Sequence, residues 1–164
     1  MKYRTLFPLL LVLLTALLSA CSTRPAAPAD HSPEDLAAAI ESARDAEENQ
    51  AFPILTSFED DYIFTLLGLQ EEDMDACAVS ASAMNVHAYG IALVVPAEGR
   101  TEAVRESLQG FIDLQMQNFE LYLADQYDIA KNAVLETLPD GTVLLVMCED
   151  SKTVADTIRG ALTQ

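Results

Sequence analysis

Three thiols, two imidazoles and 26 carboxylates are the side chains of this 164-residue chain that could do chemistry. A cysteine becomes a nucleophile only where a neighbouring base or cation lowers its pKa. The histidines are His31 and His87, so the dyad to weigh is Cys77 with His87. A buried, inert thiol is the favoured reading of Cys77, and a strand-end position is the favoured reading of His87. Cys77 and Cys148 both fall in strand-like segments. They form a disulfide if those strands lie side by side outside the cytoplasm, and otherwise stay as two free thiols. Paired carboxylates can cleave glycosidic bonds from a cleft, but such clefts stack sugars on aromatic rings, and the chain has no tryptophan. The run Glu71-Glu72-Asp73-Met74-Asp75 lacks the glycine pivot and distal glutamate of an EF-hand loop. Gly-x-Ser-x-Gly, a glycine-rich phosphate loop, Cys-x-x-Cys and His-Glu-x-x-His are all missing. The expectation is therefore no catalytic residue, no metal and no cofactor. A carboxylate-dependent hydrolase of the cell envelope is the enzymatic alternative.

Cys21 carries a different chemistry. Lys2 and Arg4 give a positive start, residues 6–18 are apolar except for Pro8 and Thr15, and Leu18-Ser19-Ala20-Cys21 follows. The apolar run is shorter than the roughly 20 residues that span a bilayer. The layout resembles a bacterial lipoprotein signal. That resemblance implies cleavage between Ala20 and Cys21 and lipid on the Cys21 thiol, with the protein held on the extracytoplasmic face of the cell membrane. Each buried methylene contributes about 0.8 kcal/mol, so two acyl chains hold where one is marginal.

Residues 21–164 carry seven basic and 26 acidic side chains, a formal charge of −19. Nucleic acid is excluded as a partner, because phosphates need Lys and Arg. An anionic membrane surface would likewise repel the domain, so the lipid anchors it while the domain stands away. Pro25, Pro28 and Pro33 make residues 21–33 an extended tether, reaching about 3.1 Å per residue in a polyproline-like state.

The elements that must position any site follow from periodicity. Ser32 reads as an N-cap and Pro33 as the first turn of a helix to about residue 50, whose thin stripe of Leu36, Ile40 and Ala43 predicts a peripheral position. The globular domain is then residues 55–164. A helix capped by Thr56 or Ser57 presents Phe58, Tyr62, Ile63, Leu66 and Leu67 and stops at Gly68. Strands follow at 76–82 and 86–95, the second with Tyr89, Ile91, Leu93 and Val95 on one face and Val86, Ala88, Gly90, Ala92 and Val94 on the other. Residues 100–124 read as the longest helix, with Val104, Leu108, Phe111, Ile112, Phe119, Tyr122 and Leu123 in its stripe and Gln115 among them. Strands at 133–138 and 142–148 flank the turn Pro139-Asp140-Gly141, and Ser151 caps a last helix. The predicted fold is α+β: a largely antiparallel sheet of about four strands, in the order strand-strand-helix-strand-strand-helix, packed by a long helix and a C-terminal helix and preceded by N-terminal helices.

Residues 66–149 carry a further resemblance. Ser82-Ala83-Met84 before a strand, Gln115 with Phe119 and Tyr122 on the long helix, Gln126-Tyr127, Asn132 and the final hairpin are similar to the domain-of-unknown-function family 4358. The resemblance implies a small bacterial lipoprotein, mostly found in Firmicutes, and adds no reaction. Where that family often has an acidic residue before the strand isoleucine and a lysine at the strand end, this chain has Gly90 and Pro96.

These readings converge on a lipid-anchored, non-catalytic binding module for a protein, peptide or small envelope ligand. An accessory subunit of a transporter or envelope complex is the remaining alternative. The candidate surface is Met84, Asn85, Tyr122, Gln126 and Tyr127. If Tyr122 is instead a core residue, alanine there unfolds the domain.

Overall fold

The protein is described by a computed structural model over residues 30–58 and 61–163. Cys21 and Ala20 lie outside the described residues. The elements are α1 (Pro33–Ser42), α2 (Ala46–Ala51), α3 (Asp61–Leu67), a 3-10 turn at Glu71–Asp73, β1 (Met74–Ala81), β2 (Gly90–Pro96), α4 (Thr101–Phe119), α5 (Ala124–Lys131), β3 (Val134–Thr137), β4 (Val143–Met147) and α6 (Ser151–Leu162).

The four strands form one sheet in the order β1-β2-β4-β3, and every neighbouring pair is antiparallel. The expected α+β class holds. β4 is apolar on both faces and buried throughout, as befits a strand with neighbours on each side and helices above and below. Alternation divides β2 as its sequence predicts. Ala92 and Val94 join Val143, Leu145 and Met147 in one core with Phe64, Phe111 and Phe119. Tyr89, Ile91, Leu93 and Val95 join Leu144 and Val146 in a second. Helices α3, α4 and α5 cover the first face, while α1 and α6 cover the second.

The first helix corrects its sequence reading. Ser32 does cap α1, in a reciprocal capping box: its Oγ accepts the Asp35 N–H, and the Asp35 carboxylate accepts the Ser32 N–H at 3.1 Å. The helix ends at Ser42, and Asp45 caps a separate short α2. It is not peripheral. Leu36, Ala39 and Ile40 are buried against β1, α6 and the second core. The stripe looks thin because alanines build part of it, and small side chains let the helix lie close on the sheet. The packed fold therefore begins near residue 31, not at 55.

The long helix is the second correction. Its buried stripe is Val104, Leu108, Phe111, Ile112, Gln115 and Phe119, and there it stops. The Tyr122 and Leu123 N–H groups both donate to the Phe119 carbonyl, Leu123 leaves helical backbone angles, and α5 starts anew at Ala124. Leu123 still packs against the core, but Tyr122 loses the helical phase that would have turned it inward.

Of the two alternatives for the cysteines, the free thiols hold. Cys77 and Cys148 are both free and buried, on opposite faces of the sheet. β2 separates β1 from β4, which alone sets their backbones roughly 9.6 Å apart at about 4.8 Å per strand, beyond disulfide reach. Burial pushes each thiol up to about 11, so both are held protonated at neutral pH.

Gly90 marks the tightest contact of helix and sheet. A Cβ there would lie 2.7 Å from Phe111 Cε1, and Phe111 is itself buried. Gly90→Ala is expected to destabilise the domain by about 1–3 kcal/mol, the usual range for overpacking, read as a lower urea midpoint. An unchanged midpoint would mean that the Phe111 ring shifts without strain. An acidic side chain at this position would have no room in this chain.

At the far end of the sheet the β3–β4 turn is set by Gly141 in the left-handed region (φ 95°) and by Asp140 Oδ1, which accepts the Thr142 N–H at 2.9 Å. His31 Nε2 lies 2.9 Å from Asp140 Oδ2, pinning the start of the fold to this hairpin. Partial burial alone would raise the Asp140 carboxyl; the Thr142 N–H and His31 outweigh it and hold the group below its ordinary value.

Candidate docking surface

The opposite end of the sheet, where β1 ends at Ala81, β2 begins at Gly90 and β4 ends at Met147, gathers most of the predicted surface. Residues 82–89 form an ordered loop. Ser82 N–H donates to the Tyr89 carbonyl at 3.1 Å, and the buried Ser82 Oγ accepts the Met84 N–H at 3.2 Å, a serine turn that fixes the chain reversal. Its tip holds Met84, Asn85 and Val86 in solvent. Gln126, on α5, accepts the Ala88 N–H through Oε1 at 2.8 Å and so locks the loop to the helix. The turn before α5 displays Leu121 and Tyr122.

Met84 is 57% exposed, Val86 54%, Leu121 78% and Tyr122 85%. Four large apolar side chains thus stand in water on two segments joined by the Gln126 bond. Lone exposed apolar residues need no explanation, whereas a group of them at one end of a fold does. Tyr122 is not core. Tyr127, by contrast, is half-buried and packs against the first core, with the Lys131 ammonium 5.9 Å from its ring centroid; it is a floor for this surface, not a contact residue. Val86 and Leu121 were missed by the sequence reading. Val86 had been counted as a strand residue, and Leu121 lies in the turn that interrupts the expected long helix.

Arg44 is a second feature that composition does not reveal. It is buried, and its Nη1 donates to the Phe52 carbonyl at 2.9 Å, Ser80 Oγ at 2.9 Å and Tyr89 Oη at 3.0 Å. The Phe52 ring stacks on Tyr89 with centroids 4.0 Å apart, and His87 meets the edge of Phe52 at 6.4 Å. Burial pushes the Tyr89 phenol up, against the opposing pull of Arg44. The knot fixes the link after α2 along β1, where Leu55 and Val79 exchange both backbone hydrogen bonds, at 2.7 and 2.8 Å.

Cys77 faces the first core, while His87 sits exposed on the loop. Asp73 is bound by Arg100, and Glu136 by Arg159 at 2.6 Å. Among the described residues no three His, Cys, Asp or Glu side chains come together as a metal-binding group, and no helix is long and apolar enough to cross a membrane. A cavity of about 530 Å³ lies at the hairpin end between His31, Leu138, Asp140, Arg159 and Leu162.

Residues 48–148 match the family described as Domain of unknown function (DUF4358). The chain belongs to that family. The matched stretch runs from α2 to the residue after β4 and holds the whole sheet, both segments of the exposed surface and the Phe52–Leu55 link; α1 and α6, the cover of the second face, lie outside it. No curated protein and no solved structure matches the chain.

Proposed function

We propose that this protein is a lipid-anchored envelope lipoprotein whose domain docks a partner protein through the end of the sheet farthest from its tether. One observation carries the reading. The apolar side chains exposed on residues 84–86 and 121–122 lie at the end opposite the Asp140 hairpin, where His31 brings in the N-terminal chain. An anchor at Cys21 would hold the hairpin end toward the bilayer and turn the apolar end outward. The acidity of the domain supports the same arrangement, since it disfavours lying on an anionic surface.

Tyr122→Ala and Met84→Ala test it. Both side chains are exposed, so each change is expected to shift stability by no more than about 0.5 kcal/mol. The double variant should keep its melting curve and lose partner association in membranes. Unfolding on Tyr122→Ala would return that ring to the core and remove the surface.

A further inference from the structure

We infer that the protein has a second interaction surface, the outer edge of β3, which takes an extended acidic segment of another protein as an added strand. This goes beyond the docking reading above and uses none of its residues. The register says which backbone groups are free. Leu138 N–H donates to the Thr142 carbonyl at 2.8 Å, so in the alternation of an antiparallel pair Glu136 and Val134 also bond to β4. Leu135 and Thr137 then direct N–H and C=O away from the sheet. β3 is an end strand, and nothing pairs with it as Leu55 pairs with Val79 on β1. Among the described residues these four outward groups, the full outward set of β3, have no hydrogen-bond partner.

Charge selects the occupant, because the free cations of an acidic chain gather here. Among the lysines and arginines of the described residues, Arg44 is buried on its hydrogen bonds, Arg100 holds Asp73, and Arg159 holds Glu136 and Asp156. Arg105, Lys131 and Lys152 form no ion pair, and all three border β3. Arg105 Nη1 donates to Thr137 Oγ1 at 3.3 Å. Lys131 closes α5 three residues before β3 begins. Lys152 shares a cavity of about 260 Å³ with Asn132, on the link between them. The neighbouring carboxylates, Asp128 a turn before Lys131 and Glu149 and Asp150 beside Lys152, are not paired with them. Arg105 and Lys131 flank one face of the edge. Thr137 is on the face of Leu135, which packs on the first core, as does Tyr127 beneath Lys131. Glu136, the one carboxylate of β3, points to the other face, where Arg159 engages it at 2.6 Å. Strand addition draws affinity from main-chain bonds and selectivity from alternate side chains. Two carboxylates four residues apart on one face of the added strand, about 13 Å, match the span from Ala133 to Thr137 and meet both cations. A second copy of β3 would bring the same cations to the seam and be repelled.

The test uses the full-length protein in micelles of an uncharged detergent and a fluorescein-labelled Glu-Val-Glu-Val-Glu-Val-Glu peptide, followed by anisotropy. Salt at about 0.15 M screens the distant acids of the chain, since the Debye length there is about 8 Å. Binding is expected. Arg105→Gln with Lys131→Gln should lower affinity about tenfold, the scale of two exposed ion pairs, while binding of the Gln-Val counterpart stays as it was. Thr137→Pro removes one outward N–H and leaves the bonds to β4, and should also cost about tenfold, the scale of one hydrogen bond. A Glu-Val peptide N-methylated on alternate residues keeps its charge but cannot pair as a strand; it should not bind, and it carries the test if Thr137→Pro fails to fold. Four results overturn the inference: no binding by the wild type, equal binding of the N-methylated peptide (charge attraction alone), undiminished binding by the double glutamine variant, or a dimer in sedimentation that Thr137→Pro dissociates.

Discussion

Ile40→Ala is expected to destabilise the domain by about 2–5 kcal/mol, the range for truncating a buried aliphatic side chain. Ile40, on α1, is fully buried against the sheet and α6. Against a total stability of about 5–15 kcal/mol for a domain of this size, the loss is a large fraction of the whole. Urea unfolding measures it. A peripheral helix would give a change within about 0.5 kcal/mol, and that outcome would return the boundary of the domain to residue 55. The same packing makes a chain cut at residue 48, where the family match begins, unfit to fold alone. Its second face, with Ile91, Leu93, Leu144 and Val146, would lose the cover that α1 provides.

Cys21→Ser is expected to have the largest cellular effect. Incorporation of labelled palmitate should fall to background, and the protein should move from the membrane fraction to the soluble one. The melting curve of the domain should not change, since the packed fold starts near residue 31 and Cys21 lies upstream of it. If lipid on Cys21 is the anchor, the domain adds no hold of its own, because residues 21–164 carry a formal charge of −19, which anionic lipid repels. Membrane association that survives the change would show that the anchor lies elsewhere.

Much of the sheet is legible in the sequence because β2 and β4 are almost wholly apolar and the turn at Pro139-Asp140-Gly141 can hardly be read otherwise. The two faces of β2 sort correctly from period two alone. The errors share a physical cause. Alanine was discounted as core material, so the stripe Leu36, Ile40, Ala43 looked too weak to bury, and Ala39, which the fold buries, was left out of it. The end of α4 was overrun because Glu120-Leu121-Tyr122-Leu123 contains neither glycine nor proline, and the apolar period continues through residues that the backbone turns outward. That one error moved Tyr122 from the surface into the expected core. Arg44 was invisible because its three acceptors, on Phe52, Ser80 and Tyr89, come from separate segments that meet only in the fold. Of the candidate surface, Met84 and Asn85 stand at the tip of the loop that Gln126 ties to α5 through Ala88, Tyr122 lies exposed just before α5, and Tyr127 is drawn down into the core by its place on the inner side of α5.

The central claim, that the end of the sheet remote from the tether is what meets a partner, has a direct test. Benzoylphenylalanine is placed at position 122 or at position 163 of the membrane-anchored protein, and cells are irradiated. Both positions are exposed, and residue 163 borders the hairpin-end cavity. The account predicts one discrete crosslinked species from position 122, lost when Met84→Ala is added, and none from position 163. Equal crosslinking from both positions, or a species from position 163 alone, would contradict it.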